Sequence, residues 1–189
     1  MFSELMGIRT GRLRFTPAHP EDAERILEAI DPATLTNFSF FSKPIGLDDE
    51  RRYLARMDRS LTDHLYLIEE IVKPVPEERR LIGSIGLHEF DDHNRSARLG
   101  CIIYRKADRG RGYGGEAIKL MLTLAFTRLK LHKVYIQFFA SRGQHEIDHW
   151  MRKGFMVEGT LREEYHLNDV WHDMIRMSIL RREWEARTK

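Results

Sequence analysis

The chain is short of cysteine, of long apolar runs and of surplus charge. Cys101 is its single cysteine, so no disulfide can form within the chain and a disulfide-stapled secreted scaffold is excluded. A reducing cytoplasm is therefore the expected compartment. Met1–Leu5 is not a basic segment followed by a long apolar run, so we expect no signal peptide. No apolar stretch is long enough to span a bilayer, and no membrane partner is expected.

The charge balance excludes another class of protein. The 31 Lys and Arg residues nearly match the 29 Asp and Glu residues, which leaves a formal net charge of +2. General nucleic-acid binding needs a clear basic excess, so no nucleic-acid partner is expected. A length of 189 residues with 42% hydrophobic residues fits one globular domain with a real core.

Apolar periodicity and turn residues predict the order β-α-α-β-β-β-loop-α-β-α-β-β. The early strands form hairpins, and a β-loop-α-β unit follows them. This order predicts the α+β fold class, with a mixed, mostly antiparallel central sheet flanked by helices. The predicted strands span 13–16, 65–71, 81–87, 97–104, 133–140, 155–157 and 172–180, and the predicted helices span 20–30, 48–60, 116–129, 145–153 and 181–189.

A glycine-rich segment, Arg109–Gly115, lies between a predicted strand and a predicted helix. Glycine permits positive φ and a close approach of the backbone to a ligand. A helix that starts just after such a turn offers unpaired N–H groups and its positive dipole end to an anion. The arginines add positive charge. The segment therefore predicts a phosphate or pyrophosphate site.

Three known motifs share these glycines. Gly110-x-Gly112-x-x-Gly115 matches the dinucleotide fingerprint, but Phe138–Arg142 lacks the carboxylate expected there for the ribose. A P-loop would need Lys-Ser/Thr after the last glycine, which this chain does not have. The spacing Arg109-x-x-Gly112-x-Gly114 is the signature of the GNAT superfamily of N-acetyltransferases, and the chain resembles that family.

The resemblance extends well beyond the glycine loop. It covers about residues 80 to 184 closely, whereas the N-terminal third matches only in element order. The later segments are similar to the RimJ/RimL-like branch, which contains ribosomal-protein acetyltransferases and spermidine acetyltransferase. The matching segments are Ala97–Gly100, Glu116–Ala117, Leu131–Tyr135, Gly154–Phe155, Glu158–Arg162, Trp171–Asp173 and Glu183–Trp184.

The resemblance implies acetyl-CoA as co-substrate, and no metal is expected. The CoA pyrophosphate is expected at the loop, and the pantetheine arm along a splayed fourth strand, by strand addition. A backbone N–H there can polarise the thioester carbonyl. The implied residues are Ile102, Ile103 and Tyr104 for pantetheine, and Arg109, Gly110, Arg111, Gly112, Tyr113, Gly114 and Gly115 for pyrophosphate.

The implied reaction is direct transfer of the acetyl group to a primary amine. The acceptor could be a protein N-terminus, a polyamine or a small-molecule amine. A single domain over 1–189 is expected, with acceptor-side helices in 1–64 and the sheet and CoA-binding core in 65–180. A homodimer is one expected assembly. The candidate acceptor-binding residues are Phe40, Phe41 and Glu89.

Two departures from the family leave the catalytic residues unassigned. Gly143, Glu146 and Trp150 occupy positions where the family often has Asn, Ser and Tyr, and the Tyr can protonate the CoA thiolate. Arg98 replaces a carboxylate that is frequent in the fourth strand. A non-catalytic acyl-CoA-binding or interaction module is therefore the main alternative. The remaining candidates for a base are His88, Glu89 and His93.

A second motif suggests a lesser alternative. Residues 145–149 read His-Glu-Ile-Asp-His, which matches the H-E-x-x-H pattern of zinc peptidases. Glu163 and Glu164 lie downstream as candidate third ligands. The polar face of a short helix explains the same residues, and the segment falls at the family's fourth helix, where no metal is expected.

Overall fold

The computed structural model describes residues 8–32, 34, 45–74 and 76–188. Within these ranges it contains seven strands and five α-helices. The strands are β1 (Leu13–Pro17), β2 (His64–Pro74), β3 (Glu77–Asp91), β4 (Ser96–Ile103), β5 (Lys133–Phe139), β6 (Met156–Leu167) and β7 (Val170–Leu180), and the helices are α1 (Ala23–Ala29), α2 (Leu47–Arg59), α3 (Tyr113–Thr127), α4 (Gly143–Met151) and α5 (Arg181–Thr188).

The strands form one sheet in the order β1-β2-β3-β4-β5-β7-β6. Four pairings, β1–β2, β2–β3, β5–β7 and β6–β7, are antiparallel, whereas β4 and β5 run parallel. Parallel strands need a crossover connection, and α3 supplies it between β4 and β5. The mixed, mostly antiparallel sheet of an α+β protein is thus confirmed.

The chain divides into two compact units. The first comprises the described residues up to His88 together with Gly100–Met121. It holds α1, α2, the N-terminal part of α3 and a helix-covered apolar core. Its buried residues include Ala18, Ala23, Ile26, Ala29, Ile30, Leu54, Leu67, Leu81 and Tyr104.

The second unit comprises Glu89–Leu99 and the residues from Leu122 onward. Its core follows from the alternation of β5, in which Val134, Ile136 and Phe138 are buried while their neighbours are half-buried. Trp150 and Phe155 meet edge to face, with ring centroids 5.1 Å apart. The expectation of a single domain over 1–189 stays a prediction.

Several predicted boundaries differ from the structure; β3, predicted over 81–87, spans Glu77–Asp91. Helix α3 begins at Tyr113 and not at Glu116, because the carbonyl of Gly112 already accepts the N–H of Glu116 at 3.0 Å. Strand β6 continues to Leu167, far beyond the predicted end at 157. Its outer half carries exposed charged residues, and shifts of register against β7 interrupt the alternation that a strand prediction needs.

Helix α2 carries one charged residue on its buried face. Asp49 accepts the N–H of Gly46 at 3.3 Å, which closes the N-terminus of the helix. Leu54 and Met57 are buried one and two turns after Glu50, which is only 9% exposed. In the described part of the chain the Glu50 carboxylate has no cationic partner, and burial raises its pKa to about 6.

Replacing Glu50 with glutamine is expected to stabilise the protein at pH 8 and to change little at pH 4. Burial raises the pKa from 4.5 in the unfolded chain to about 6 in the folded one. The folded state therefore binds more protons in this window, and stability falls by about 2 kcal/mol as pH rises through it.

Urea unfolding at the two pH values measures this difference. Glu24→Gln, at an exposed position of α1, is the matched control and should leave both values within about 0.5 kcal/mol. An E50Q effect that is the same at pH 4 and pH 8 would contradict the prediction.

Candidate functional site

The loop before α3 has a backbone shape that favours glycine. Gly110 and Gly112 have φ values of +76° and +84°, which side-chain-bearing residues rarely adopt. A Cβ on Gly112 would also lie 3.2 Å from Arg12 Nη2. Gly114 and Gly115 follow in the first turn of α3. The predicted loop is therefore a tight turn that runs directly into a helix.

The backbone N–H groups of this turn are not used in hydrogen bonds within the described part of the protein. In the ranges that the structure describes, none of the N–H groups from Gly110 to Gly115 donates a hydrogen bond. They lie at the N-terminus of a helix of 15 residues, where the helix dipole adds partial positive charge. The geometry of the turn is thus that of an anion-binding site.

The two arginines of the loop have different environments. Arg109 points inward, where its Nε and Nη2 donate to the carbonyl of Ile103 at 3.3 and 3.1 Å, and Nη2 also donates to Thr34. Its side chain therefore anchors the end of β4. The Arg111 side chain is 54% exposed, and its contact with Asp108 is long, at 3.3 Å. Arg111 is thus the loop cation that faces solvent.

A buried tyrosine supports the loop from below. Tyr113 is 2% exposed and donates its hydroxyl hydrogen bond to Glu70. The guanidinium carbons of Arg12 and Arg111 lie 4.6 and 5.2 Å from the centre of its ring, within the range of cation–π attraction. Arg12 also donates to Glu116 at 2.5 Å, and this bond raises the Arg12 pKa.

An ion-pair network continues beneath the loop. Asp108 is 3% exposed and accepts two hydrogen bonds from Arg80, at 2.7 and 2.8 Å. Arg80 also donates twice to Glu70, at 3.1 and 2.7 Å. The Arg80 hydrogen bonds hold the Asp108 pKa below its usual range. Burial opposes ionisation of Glu70, but hydrogen bonds from Tyr113 and Arg80 outweigh it and lower that pKa as well.

Strand β4 changes its pairing along its length. Its parallel ladder with β5 comprises three residue pairs and ends at Arg98 and Tyr135. Toward its other end β4 stays with β3, since the N–H of Tyr104 donates to Ile82 at 2.9 Å. A Cβ on Gly83 would lie 2.3 Å from the Ile102 carbonyl oxygen, which shows how closely the two strands approach.

The three residues expected along the cofactor arm are not equivalent. Ile102 and Ile103 are half-buried and lie beyond the end of the β5 ladder. Tyr104 is 3% exposed, packs into the core cluster, and its pKa is raised by burial. Of these three residues, only the two isoleucines are therefore partly exposed in the part of β4 that no longer pairs with β5.

Glu89 is held by two neighbours in its own unit. Arg98 Nε donates to one carboxylate oxygen at 2.8 Å, and the Tyr135 hydroxyl donates to the other at 2.5 Å. Glu89 has a φ of +53°. Burial, and to a smaller extent the hydrogen bond to the Glu89 carboxylate, raises the pKa of Tyr135 to about 12. Arg98 stands where the family often has a carboxylate, and here it pairs with the carboxylate of Glu89.

The residues at the usual acid positions pair with each other. Trp150 is 9% exposed, and its Nε1 donates to Glu146 at 2.9 Å. Gly143 begins α4 with a φ of +69°. Trp150 therefore serves the packing of this unit, and its one donor is already used.

The H-E-x-x-H residues have partners within their helix and turn. Glu146 accepts from Trp150, and His149 Nε2 lies 2.7 Å from Lys153 Nζ. Burial, and then Lys153, lowers the His149 pKa. Among the described residues there is no group of three or more His, Cys, Asp or Glu that could hold a metal ion. The described geometry gives the peptidase alternative no support.

The remaining candidates are the two acceptor-side phenylalanines and the two histidines considered as bases. Phe40 and Phe41 lie outside the described residues. His93 is exposed in the turn after β3. His88 is buried, and its Nδ1 lies 3.2 Å from Asp63 Oδ1. Nothing in the sequence separates Asp63 from other surface acids, because the two residues are 25 positions apart and meet only through the β2–β3 pairing.

Comparison with known proteins settles the family. A model of the acetyltransferase (GNAT) domain matches residues 12–141. The chain belongs to the GNAT family. The resemblance in its sequence is thereby confirmed, and this GNAT protein is an N-acetyltransferase that uses acetyl-CoA.

Relatives of this GNAT protein agree with the assignment. YdaF of Bacillus subtilis (strain 168) is 32% identical over 182 residues, which cover 88% of this chain and 90% of YdaF. Spermidine N(1)-acetyltransferase of Escherichia coli (strain K12) is 28% identical, over 78% of this chain and 89% of that protein. Spermidine N-acetyltransferase of Vibrio cholerae, solved with CoA and spermine, shares the fold with a TM-score of 0.77 at 23% identity, over 93% and 99% of the two chains.

Removing the Asp108 charge is expected to destabilise this GNAT protein by about 2 kcal/mol at pH 7, because Arg80 loses its bidentate partner. The pKa of Asp108 is lowered in the folded state, so its contribution is present at neutral pH and is lost as pH falls through that lowered value. The difference between wild type and Asp108→Asn should therefore shrink in acid.

Chemical unfolding at pH 7 and at the lowest pH that keeps both proteins folded tests this expectation. Asp92→Asn, at an exposed turn position, is the control. A destabilisation by D108N that does not depend on pH would point to packing and not to charge.

Proposed function

We propose that this GNAT protein binds the CoA pyrophosphate at residues Gly110–Gly115 and acetylates a primary amine of a small cationic molecule. The observation that carries the proposal is the set of unbonded N–H groups at the start of α3. Two phosphates bring two or more negative charges, which these groups and the helix dipole can stabilise without any further side chain.

The supports around the turn explain how it can receive the ligand. Arg109 holds the end of β4, Tyr113 holds the first turn of α3, and Asp108 is fixed by Arg80. The exposed guanidinium of Arg111 adds a positive charge at the same place. The pantetheine arm then runs along Ile102 and Ile103, where β4 has left its ladder with β5.

The acceptor is proposed from charge. The family resemblance puts the helices before residue 64 on the acceptor side, and α2 carries Glu50 there with no cationic partner among the described residues. A buried carboxylate is stabilised by an ammonium group. The reacting amine must be neutral, so Glu50 suits a second, non-reacting ammonium, as in a diamine or polyamine.

The named relatives support a small amine more than a protein acceptor. Two of the proteins above are named as spermidine acetyltransferases, whereas the name of YdaF refers to a ribosomal acceptor. A diamine carries its second ammonium group in every molecule, whereas a protein N-terminus supplies one only where a basic side chain follows it. The homodimer and the cytoplasmic location stay predictions. In the described part of the chain no helix is long and apolar enough to cross a membrane.

The cofactor site is tested with a charge at Gly115. A Cβ there meets no atom within 4 Å, and the residue is helical, so a side chain fits without strain. Aspartate in the first turn favours the helix, but its charge repels a pyrophosphate. We expect Gly115→Asp to weaken CoA binding about a hundredfold, which corresponds to about 3 kcal/mol.

Calorimetric titration of CoA into the purified variants measures this loss. Gly115→Asn has the same shape without the charge and should lose no more than about fivefold. Pantetheine, which lacks the pyrophosphate, should bind all three proteins equally. Equal CoA affinity of G115D and G115N would remove the pyrophosphate from this loop. Gly112 is unsuitable for the test, because its φ of +84° would strain any side chain.

The acceptor is tested by the release of CoA thiol with a diamine and with a monoamine of equal length. Wild type is expected to favour the diamine by about tenfold or more in kcat/KM, and Glu50→Gln should reduce this preference toward one. A preference unchanged in E50Q would exclude Glu50 from acceptor recognition. No thiol release with any amine would exclude the proposed activity itself.

A further inference from the structure

His88 is a buried histidine with a fixed orientation. It lies near the end of β3 and is 9% exposed. Strand alternation puts it on the same face as Ser84 and Gly86. Tyr104 hydrogen-bonds Ser84 and belongs to the apolar cluster with α1 and α2. His88 therefore faces the helix-covered side of the sheet, which is the proposed acceptor side.

Asp63 sets the orientation of the His88 ring. Its Oδ1 lies 3.2 Å from His88 Nδ1, while its Oδ2 accepts hydrogen bonds from Ser60 at 2.8 Å and Thr62 at 3.0 Å. The N–H of Asp63 returns to the Ser60 hydroxyl at 3.0 Å. A carboxylate at Nδ1 keeps the proton on that nitrogen when the ring is neutral. Nε2 then carries the lone pair.

Two glycines make room for that nitrogen. A Cβ on Gly86 would lie 2.8 Å from His88 Nε2, and a Cβ on Gly100 would lie 3.3 Å from it. The first distance is shorter than any real contact of this kind, and the second would force the ring to move. Nε2 thus lies over the bare backbone of β3 and β4. Gly100 precedes Ile102, on the proposed cofactor strand, by only two residues.

We propose that His88 is the base of the acetyl transfer, with Asp63 as its positioning residue. The inference rests on the proposed function. The neutral amine nitrogen forms a bond to the thioester carbonyl carbon, and His88 Nε2 takes the proton that this nitrogen must lose. The carbon–sulfur bond then breaks, the sulfur leaves with the electron pair, and the same proton returns from Nε2 to the thiolate. The products are the amide and CoA thiol, and the imidazole is neutral again.

This assignment accounts for the departures from the family pattern. Both carboxylate oxygens of Glu89 accept hydrogen bonds, one from Arg98 and one from Tyr135. These bonds make Glu89 a weaker proton acceptor. The Trp150 indole N–H donates to Glu146 and is no useful acid. A histidine can serve as base and then as acid in one cycle, which makes a separate tyrosine unnecessary.

The charges around His88 set its pH dependence. Asp63 and His64, just before and at the start of β2, face it. The Asp63 carboxylate favours the protonated ring, whereas a protonated His64 would disfavour it. Burial lowers the pKa of His64, which weakens its opposition to the Asp63 charge. Loss of the Asp63 charge should therefore lower the pKa at which activity is lost.

The experiment is a pH profile of kcat/KM for wild type, His88→Gln and Asp63→Asn, with a weakly basic amine whose own pKa lies below that of histidine. We expect wild type to lose activity in acid with one proton. H88Q should lower kcat at least a hundredfold and abolish this acid limb. D63N should lower kcat less and move the limb to lower pH. His93→Gln, at an exposed turn, should match wild type.

Two further measurements separate chemistry from folding. The CoA dissociation constant of H88Q should stay within about threefold of wild type. His88→Ala should regain activity with added imidazole, which a purely structural histidine would not allow. Unchanged kcat and acid limb in H88Q, or no rescue of H88A, would overturn the assignment while leaving the proposed function intact. A wild-type protein that binds CoA but acetylates no amine would overturn both.

Discussion

The bidentate pair between Arg80 and the buried Asp108 is the interaction on which the rest of the glycine turn depends. A buried carboxylate stays ionised at neutral pH most readily when several hydrogen bonds meet its charge. Arg80 provides two of them and extends to Glu70, which in turn receives the Tyr113 hydroxyl. One guanidinium thus connects β2, the segment before the glycine turn and the first residue of α3.

This arrangement explains how a turn with two glycines in the left-handed region can be rigid. The flexibility lies in the glycine backbone, and the restraint comes from side chains on either side of it. Those side chains bond to one another, and in the described part of the chain the N–H groups from Gly110 to Gly115 take no part in internal hydrogen bonds. Preorganised donors of this kind avoid the reorganisation that a flexible loop would need on binding.

Much of this could be predicted from the sequence, and the reasons for the misses are physical. The glycine spacing predicted the tight turn because residues with side chains rarely take φ values of this size, and apolar periodicity predicted α3 and β5. The direction of the Arg109 side chain could not be predicted, because it depends on the carbonyl of Ile103. Asp63 and Glu50 could not be singled out for a related reason, since the contact of Asp63 with His88 and the burial of Glu50 depend on which strands and helices pack together. The length of β6 was missed because its exposed half lacks alternation.

The close packing of the His88 ring against Gly86 and Gly100 restricts which substitutions this protein can accept. A side chain at Gly86 would collide with both the ring and the His64 carbonyl oxygen, whereas a side chain at Gly100 would meet the ring alone. A smaller residue at position 88 would therefore release Gly100 but not Gly86. Substitutions at positions 88 and 100 are expected to be coupled, and position 86 is expected to remain glycine whatever residue stands at 88.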